Sequence, residues 1–138
     1  MTRVLVVVFL ALMVGCAMKP KPDEPISPAA DFDLDDREQQ RLVERANRGD
    51  GAAALRLANY HLFITDNIDE AVRWLKKSAE AGNATAQYNL AVIYLNNERL
   101  QDRGQAELLL EAAAKKGDEE ARKLLQEEFP EGGTPRPE

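Results

Sequence analysis

A five-residue signature, Ala-x-x-Gly followed by Asp or Asn, occurs three times in this chain, at residues 46–50, 79–83 and 114–118, with its glycines 33 and 35 residues apart. Self-similarity at that period marks a chain built from units that bury their apolar faces only by stacking on one another. Gly49, Gly82 and Gly117 each suit the left-handed backbone that ends a helix, and the Asp or Asn directly after each can cap the next helix. The signature therefore encodes a tight helix-to-helix turn, and its three copies predict six helices.

Positions counted from each glycine repeat as well. Four residues on stand Ala53, Ala86 and Ala121; eight on, Leu57, Leu90 and Leu125; twelve on, His61, Tyr94 and Phe129. That spacing is one face of a helix. In the second helix of each pair Ala71, Trp74, Leu75, Ser78 and Ala79 match Ala106, Leu109, Leu110, Ala113 and Ala114. Alanines at these points let helices pack closely, and the match with Leu109 makes Trp74 a core residue. Composition agrees: 44% apolar, 30% charged and 6% aromatic residues, with Ala, Leu, Glu and Arg recurring, favour helix over sheet. A length of 138 residues leaves room for one small domain with a targeting segment and tails.

These residues resemble the Sel1-like repeat, a relative of the tetratricopeptide repeat. The likeness is carried by Ala86-Gln87, Leu90-Ala91 and Tyr94 in the first helix, and by Ala71, Trp74-Leu75, Ser78-Ala79 and Gly82 in the second. It covers residues 36–129. It departs in the loops, where residues 65–68 and 96–100 replace the family's Gly-x-Gly-Val, while Asp102 matches. The resemblance implies an all-α fold: a short right-handed α-solenoid of antiparallel helix pairs, about six helices, over residues 35–129. The first helix keeps Leu42, Ala46 and Gly49 but places Glu38, Arg41 and Arg45 where apolar residues would pack, so it reads as a polar cap. Gln126 takes the small-residue position of Ala58 and Ala91, and Pro130 with Gly132-Gly133 stops the chain, leaving 130–138 as a disordered tail. Two full and two half repeats fall short of the roughly three usually needed, so a partner or a homo-oligomer is expected to add stability.

Ahead of the repeats, Arg3 precedes an apolar run over residues 4–14, shorter than the roughly 20 residues that span a bilayer as a helix. Leu12-Met13-Val14-Gly15-Cys16 resembles the bacterial lipobox, with Met13 where the family usually has Leu. The resemblance implies a signal peptide over 1–15 and a lipidated Cys16 as the new N-terminus, joined to diacylglycerol by a thioether. Ala17, in place of Asp, is similar to signals sent on to the outer membrane. Residues 16–34 then form a linker whose Pro20, Pro22, Pro25 and Pro28 hold it extended off the lipid. The expected location is the cell envelope, lipid-anchored, on the periplasmic side of the outer membrane.

Charge and side-chain inventory narrow the function. The formal charge is -6; cleavage before Cys16 removes Arg3 and no acid, leaving 17 basic against 24 acidic side chains, or -7. Such a chain repels nucleic acid. One cysteine cannot form an internal disulfide, and His61 has no neighbouring Cys or His, so neither a disulfide framework nor a clustered metal site is expected, and no cofactor. His61 lies on a position filled elsewhere by Tyr94 and Phe129 and reads as packing, while Glu119-Glu120 and Glu127-Glu128 read as surface or helix-terminus charge. With no nucleophile–base pair, paired-carboxylate site or phosphate loop, no enzyme is expected and a cell-wall hydrolase is a remote alternative.

The resemblance implies binding through the inner face, made by the first helix of each pair. Its side chains not used by the core are Arg56, Asn59, Tyr60 and Phe63 in the first unit and Tyr88, Asn89, Val92 and Asn96 in the second. Exposed aromatic and amide groups suit peptide recognition. For Tyr60 and Tyr88, packing between repeats stands as the other reading. The expected function is a scaffold or adaptor for an envelope protein or peptide, the alternative a structural or regulatory subunit of an envelope enzyme or secretion complex.

Overall fold

In a computed structural model that describes residues 32–130, the three signatures fold into the same turn. Gly49, Gly82 and Gly117 have φ of +93°, +87° and +92°. Each glycine N–H bonds the carbonyl of the alanine three residues earlier, at 2.9–3.1 Å, and the next N–H bonds the carbonyl of Arg45, Ser78 or Ala113 at 3.1–3.2 Å. Those two bonds make a Schellman ending, which only a left-handed residue permits. The Asp or Asn side chain then turns forward: Asp50 accepts from Ala53 N–H, Asn83 from Ala86 and Asp118 from Ala121, at 2.9–3.0 Å. One residue thus closes one helix and opens the next. Arg45 beside Asp50, with the Ala53 N–H as the larger cause, holds that carboxyl below the usual aspartate range.

Asp35, Asn67 and Asp102 cap the other three helices in the same way. The elements are α1 (Asp36–Asn47), α2 (Gly51–Phe63), α3 (Ile68–Glu80), α4 (Ala84–Asn96), α5 (Arg103–Lys115) and α6 (Glu119–Glu128), with no strand among the described residues. The middle four are 13 residues each. The α2–α3 connection takes residues 64–67 and the α4–α5 connection residues 97–102, so the two extra residues of the second period lie wholly in that loop. Both loops still close alike, Asn67 N–H on the His61 carbonyl at 2.8 Å and Asp102 N–H on the Tyr94 carbonyl at 3.1 Å.

Helices adjacent in sequence pack against one another, most closely α2 on α3 and α4 on α5, which gives a short all-α solenoid of two full helix pairs flanked by α1 and α6. Its core is the repeated set: Ala53, Leu57, Ala58, Ala71 and Leu75 in one unit, and Ala86, Leu90, Ala91, Ala106 and Leu110 in the next, all buried. Trp74 is 3% exposed, with the Arg73 guanidinium 4.5 Å from its ring centroid and the Lys77 ammonium 5.6 Å away. Lys77 also reaches Asn47 Oδ1 at 2.8 Å, tying α3 to the end of α1, and Lys116 donates to the Gly82 carbonyl. At Gly51 the start of α2 lies close against the end of α3: the Ser78 hydroxyl donates to its carbonyl at 2.6 Å, and a Cβ there would lie 2.9 Å from that of Ala81.

Both ends are polar. Among its residues α1 buries Leu42 and Ala46, and α6 buries Ala121 alone. Glu107 and Gln126 stand exposed where Val72, and Ala58 and Ala91, are buried. Packing begins slightly ahead of α1, inside the stretch read as linker: Leu34 is buried, its carbonyl accepts from Gln39 Nε2 at 3.0 Å, and the Phe32 ring lies 4.8 Å from that of Phe63. The residues expected to form a leader, Cys16, the expected linker up to residue 31 and the expected tail from 131 lie outside the described residues.

The turn chemistry gives a direct expectation. Gly82→Ala should lower stability by about 1–2 kcal/mol, the cost of a left-handed conformation for an L side chain, and Gly82→Asn should cost less because Asn tolerates that region. Urea unfolding followed by circular dichroism measures both; equal losses would mean that backbone conformation is not what selects glycine there.

Candidate functional site

In α2 the residues 3, 7, 10 and 14 after the glycine are Ala52, Arg56, Asn59 and Phe63; in α4 they are Thr85, Asn89, Val92 and Asn96. That spacing draws one stripe along each helix, opposite the buried Ala53–Leu57 and Ala86–Leu90 side. Ala52, Arg56, Phe63, Thr85 and Asn96 are exposed, and Asn59, Asn89 and Val92 half-buried. Six of the eight residues named from sequence share these stripes. Tyr60 and Tyr88 flank them, each partly buried against a core cluster, Tyr60 against the one that contains Leu34, Leu42 and Leu57, and Tyr88 against the one that contains Ala91, Leu110 and Ala121. Ala52 and Thr85 join the stripes unannounced, although each stands four residues before a residue already singled out.

Formal charge is nearly absent here. From Ala84 to Asn96, α4 carries no Asp, Glu, Lys or Arg, and α2 carries only Arg56. Arg56 is paired with Glu38 of α1 at 2.8 Å, an exposed pair that adds little stability but leaves no bare cation on the stripe. Asn96 Nδ2 donates back to the Val92 carbonyl at 2.8 Å, so its Oδ1 remains to face outward partners. The Asn59 Oδ1 is buried with no hydrogen-bond partner. A buried acceptor left unsatisfied costs about 1–3 kcal/mol, and this one, closed off from solvent, is not part of the surface that the stripe presents. The stripes therefore present amides, one phenyl ring, one hydroxyl, small apolar groups and a single ion-paired guanidinium, a surface able to hold backbone and uncharged side chains.

A protein of Escherichia coli strain K12, described as "Uncharacterized protein YibG", is 32% identical over 125 residues, spanning 86% of this chain and 82% of its own length. The chain belongs to the YibG family. No family model matches it, and no solved structure matches it. A match over 86% of the chain is longer than the 99 described residues of 138, so the YibG-family likeness extends before residue 32, after residue 130, or both.

This YibG-family chain holds its one imidazole on the opposite side of α2 from the stripe, on the face that carries Ala53 and Leu57. His61 Nδ1 lies 3.1 Å from Thr65 Oγ1. Burial pushes its pKa below the ordinary histidine value; Glu70 pulls the other way and Arg73 adds to the lowering. The unfolded chain therefore binds this proton more readily, so stability from His61 is present above pH ~6.5 and falls as the pH drops below that. Thermal melts at pH 7.5 and 5.5 should show a drop in midpoint that His61→Gln reduces; an undiminished drop would assign it to other groups. Two open depressions lie away from the stripes. One of about 520 Å³ is lined by Lys76, Glu80, Tyr94, Asp102 and Gln105, the other, of about 540 Å³, by α1 residues including Gln39, Gln40 and Val43. Among the described residues no cluster of three or more His, Cys, Asp or Glu could hold a metal ion, and no helix is long and apolar enough to cross a membrane.

Proposed function

We propose that this chain is a lipid-anchored envelope protein whose Sel1-like repeats act as a scaffold, holding a protein or peptide partner across the α2 and α4 stripes as the inner face. The observation that carries the reading is a double stripe whose one charged residue is the ion-paired Arg56, in a chain in which 30% of residues are charged. Surface helices keep charge on their solvent side unless that side is meant to be covered, and the centres of protein interfaces lose charged residues while keeping aromatic ones. Cys16 supplies the anchor, and residues 17–31 the spacer between lipid and repeats.

The test is crosslinking in intact cells, detergent extraction and mass spectrometry of what co-purifies, comparing wild type with Asn89→Glu plus Val92→Glu. Neither residue is in the buried core, so the double variant should keep its helical circular dichroism while losing one enriched envelope protein. Unchanged partners would remove the stripes from the binding role. A complex of fixed stoichiometry that survives purification in both would favour the subunit reading instead. Cys16→Ser should move the protein out of the membrane fraction; retention there would remove the lipid anchor.

A further inference from the structure

We propose that the depression of about 520 Å³ between α3 and α5 is a docking pocket for a tryptophan side chain of a partner protein. The inference stands apart from the reading of the stripes: Leu90 and Tyr94, which α4 lends to this pocket, lie on the face of that helix opposite its stripe. Comparison of the two units leads to it. Eight residues before the glycine that ends it, the first unit has Trp74 and the second Leu109; five before, they have Lys77 and Ala112. Two residues before the glycine that opens each unit stand Asn47 and Glu80. In the first unit these residues close the space between α1 and α3. Trp74 is buried, and the Lys77 ammonium, 5.6 Å from its ring centroid, reaches across to Asn47 Oδ1 at 2.8 Å. In the second unit a half-buried leucine stands for the indole, an alanine for the bridging lysine and a carboxylate for its acceptor, so the corresponding space stays open. It lies where the two core clusters meet, since Tyr94 and Leu109 pack against both.

The lining suits the group that fills the first unit. Ala79, Leu90 and Leu109 give an apolar floor, two of them buried. Lys76, Glu80, Tyr94 and Gln105 stand around it, while Asp102 at the edge is engaged in capping α5. Trp74 carries a guanidinium and an ammonium over its ring, and Lys76 supplies a cation for a docked ring, a contact that strengthens as water is excluded. An indole N–H is a donor only, and Glu80 and Tyr94 offer acceptor oxygens. Lys76 and Glu80 are four residues apart on α3, yet among the described residues no ion pair joins either to another side chain. Neither therefore has to leave a partner before engaging a ligand. The volume lies within the roughly 300–1,000 Å³ of clefts that hold small ligands, and tryptophan is a leading anchor residue of protein interfaces. A second copy of this chain cannot supply the ring, because Trp74 is its only tryptophan and is already in the core.

The experiment titrates the purified full-length chain, labelled with nitrogen-15, with N-acetyltryptophanamide and follows backbone amide shifts by nuclear magnetic resonance; N-acetylleucinamide is the control. The expected result is saturable shifts clustered at residues 76–80, 94 and 105–109, with a Kd on the order of 1–10 mM, and binding of the leucine amide several-fold weaker. Leu109→Trp should place the chain's own indole in the pocket, abolishing those shifts and raising the urea midpoint. Lys76→Ala and Glu80→Ala, both at exposed positions, should each weaken binding several-fold with helical circular dichroism unchanged, and they decide the matter if Leu109→Trp does not fold. Shifts scattered over the surface, equal binding of the leucine amide, or binding undiminished in a folded Leu109→Trp or in both surface variants overturns the proposal. No stripe residue takes part, so its failure is distinct from failure of partner capture by the stripes.

Discussion

Trp74→Ala is expected to lower the stability of the repeat domain by roughly 3–5 kcal/mol, against a total that for a domain of this size is about 5–15 kcal/mol. The ring is 3% exposed and belongs to the cluster that includes Leu42, Leu57, Leu75 and Leu90, so its loss opens a cavity where α1, α2, α3 and α4 all contribute. Six other buried members of that cluster are alanines, which have no side chain to swing into the space. The corresponding residue of the second unit, Leu109, is only half-buried, so Leu109→Ala should cost visibly less. Trp74→Leu separates volume from ring chemistry: it keeps an apolar side chain but removes the face under Arg73, a contact worth about 0.5–1 kcal/mol when exposed. Because Trp74 is the only tryptophan, urea unfolding must be followed by far-ultraviolet circular dichroism. A loss below 1 kcal/mol for Trp74→Ala would contradict the central place given to the ring.

Gly51→Ala should also destabilise, by about 1–3 kcal/mol, although the same change inside an exposed helix ordinarily gains up to about 1 kcal/mol. The sign is reversed by contact. The new Cβ would lie 2.9 Å from the Ala81 Cβ and 3.4 Å from the Ser78 carbonyl oxygen. None of these atoms is the loose end of a long side chain, so α2 must back away from α3. That movement stretches the 2.6 Å bond from the Ser78 hydroxyl to the Gly51 carbonyl, leaving a buried hydroxyl short of a partner. Ser78→Ala tests the coupling: the two losses should combine to less than their sum, since each breaks the same junction. A stabilised Gly51→Ala, read from the urea midpoint, would show that the helices have room there.

The number of helices, their punctuation and the alanine–leucine core were legible because the same local chemistry recurs at each unit, and a short motif states it in full. Gly51 was not legible for the complementary reason. Its counterparts are Ala84 and Glu119, so comparison of repeats hides a requirement that one unit alone carries. The stripes were read off nearly complete, since i, i+4, i+7 spacing is geometry, but the fate of Tyr60 and Tyr88 at their margins depends on what stands beside each helix, which spacing does not reveal. Contacts across distant parts of the chain, such as Phe32 on Phe63, Arg56 with Glu38 or Lys77 with Asn47, pair residues that follow no period. In Phe32 and Leu34, isolated among aspartates, nothing distinguishes packing from linker.

At three of the five junctions a single Asp or Asn serves both neighbouring helices, which leaves no residue to spare. Adding or deleting one amino acid there would break two caps at once and rotate everything downstream by about 100°. The connections over 64–67 and 97–102 lack this constraint, and they already differ by two residues while making the same closing bond. Length changes during descent should therefore collect at those two loops, along one edge of the molecule, while the opposite edge keeps its count. Among YibG-family members that edge is where sequence alignments should open their gaps, and where a reporter peptide can be inserted without loss of folding.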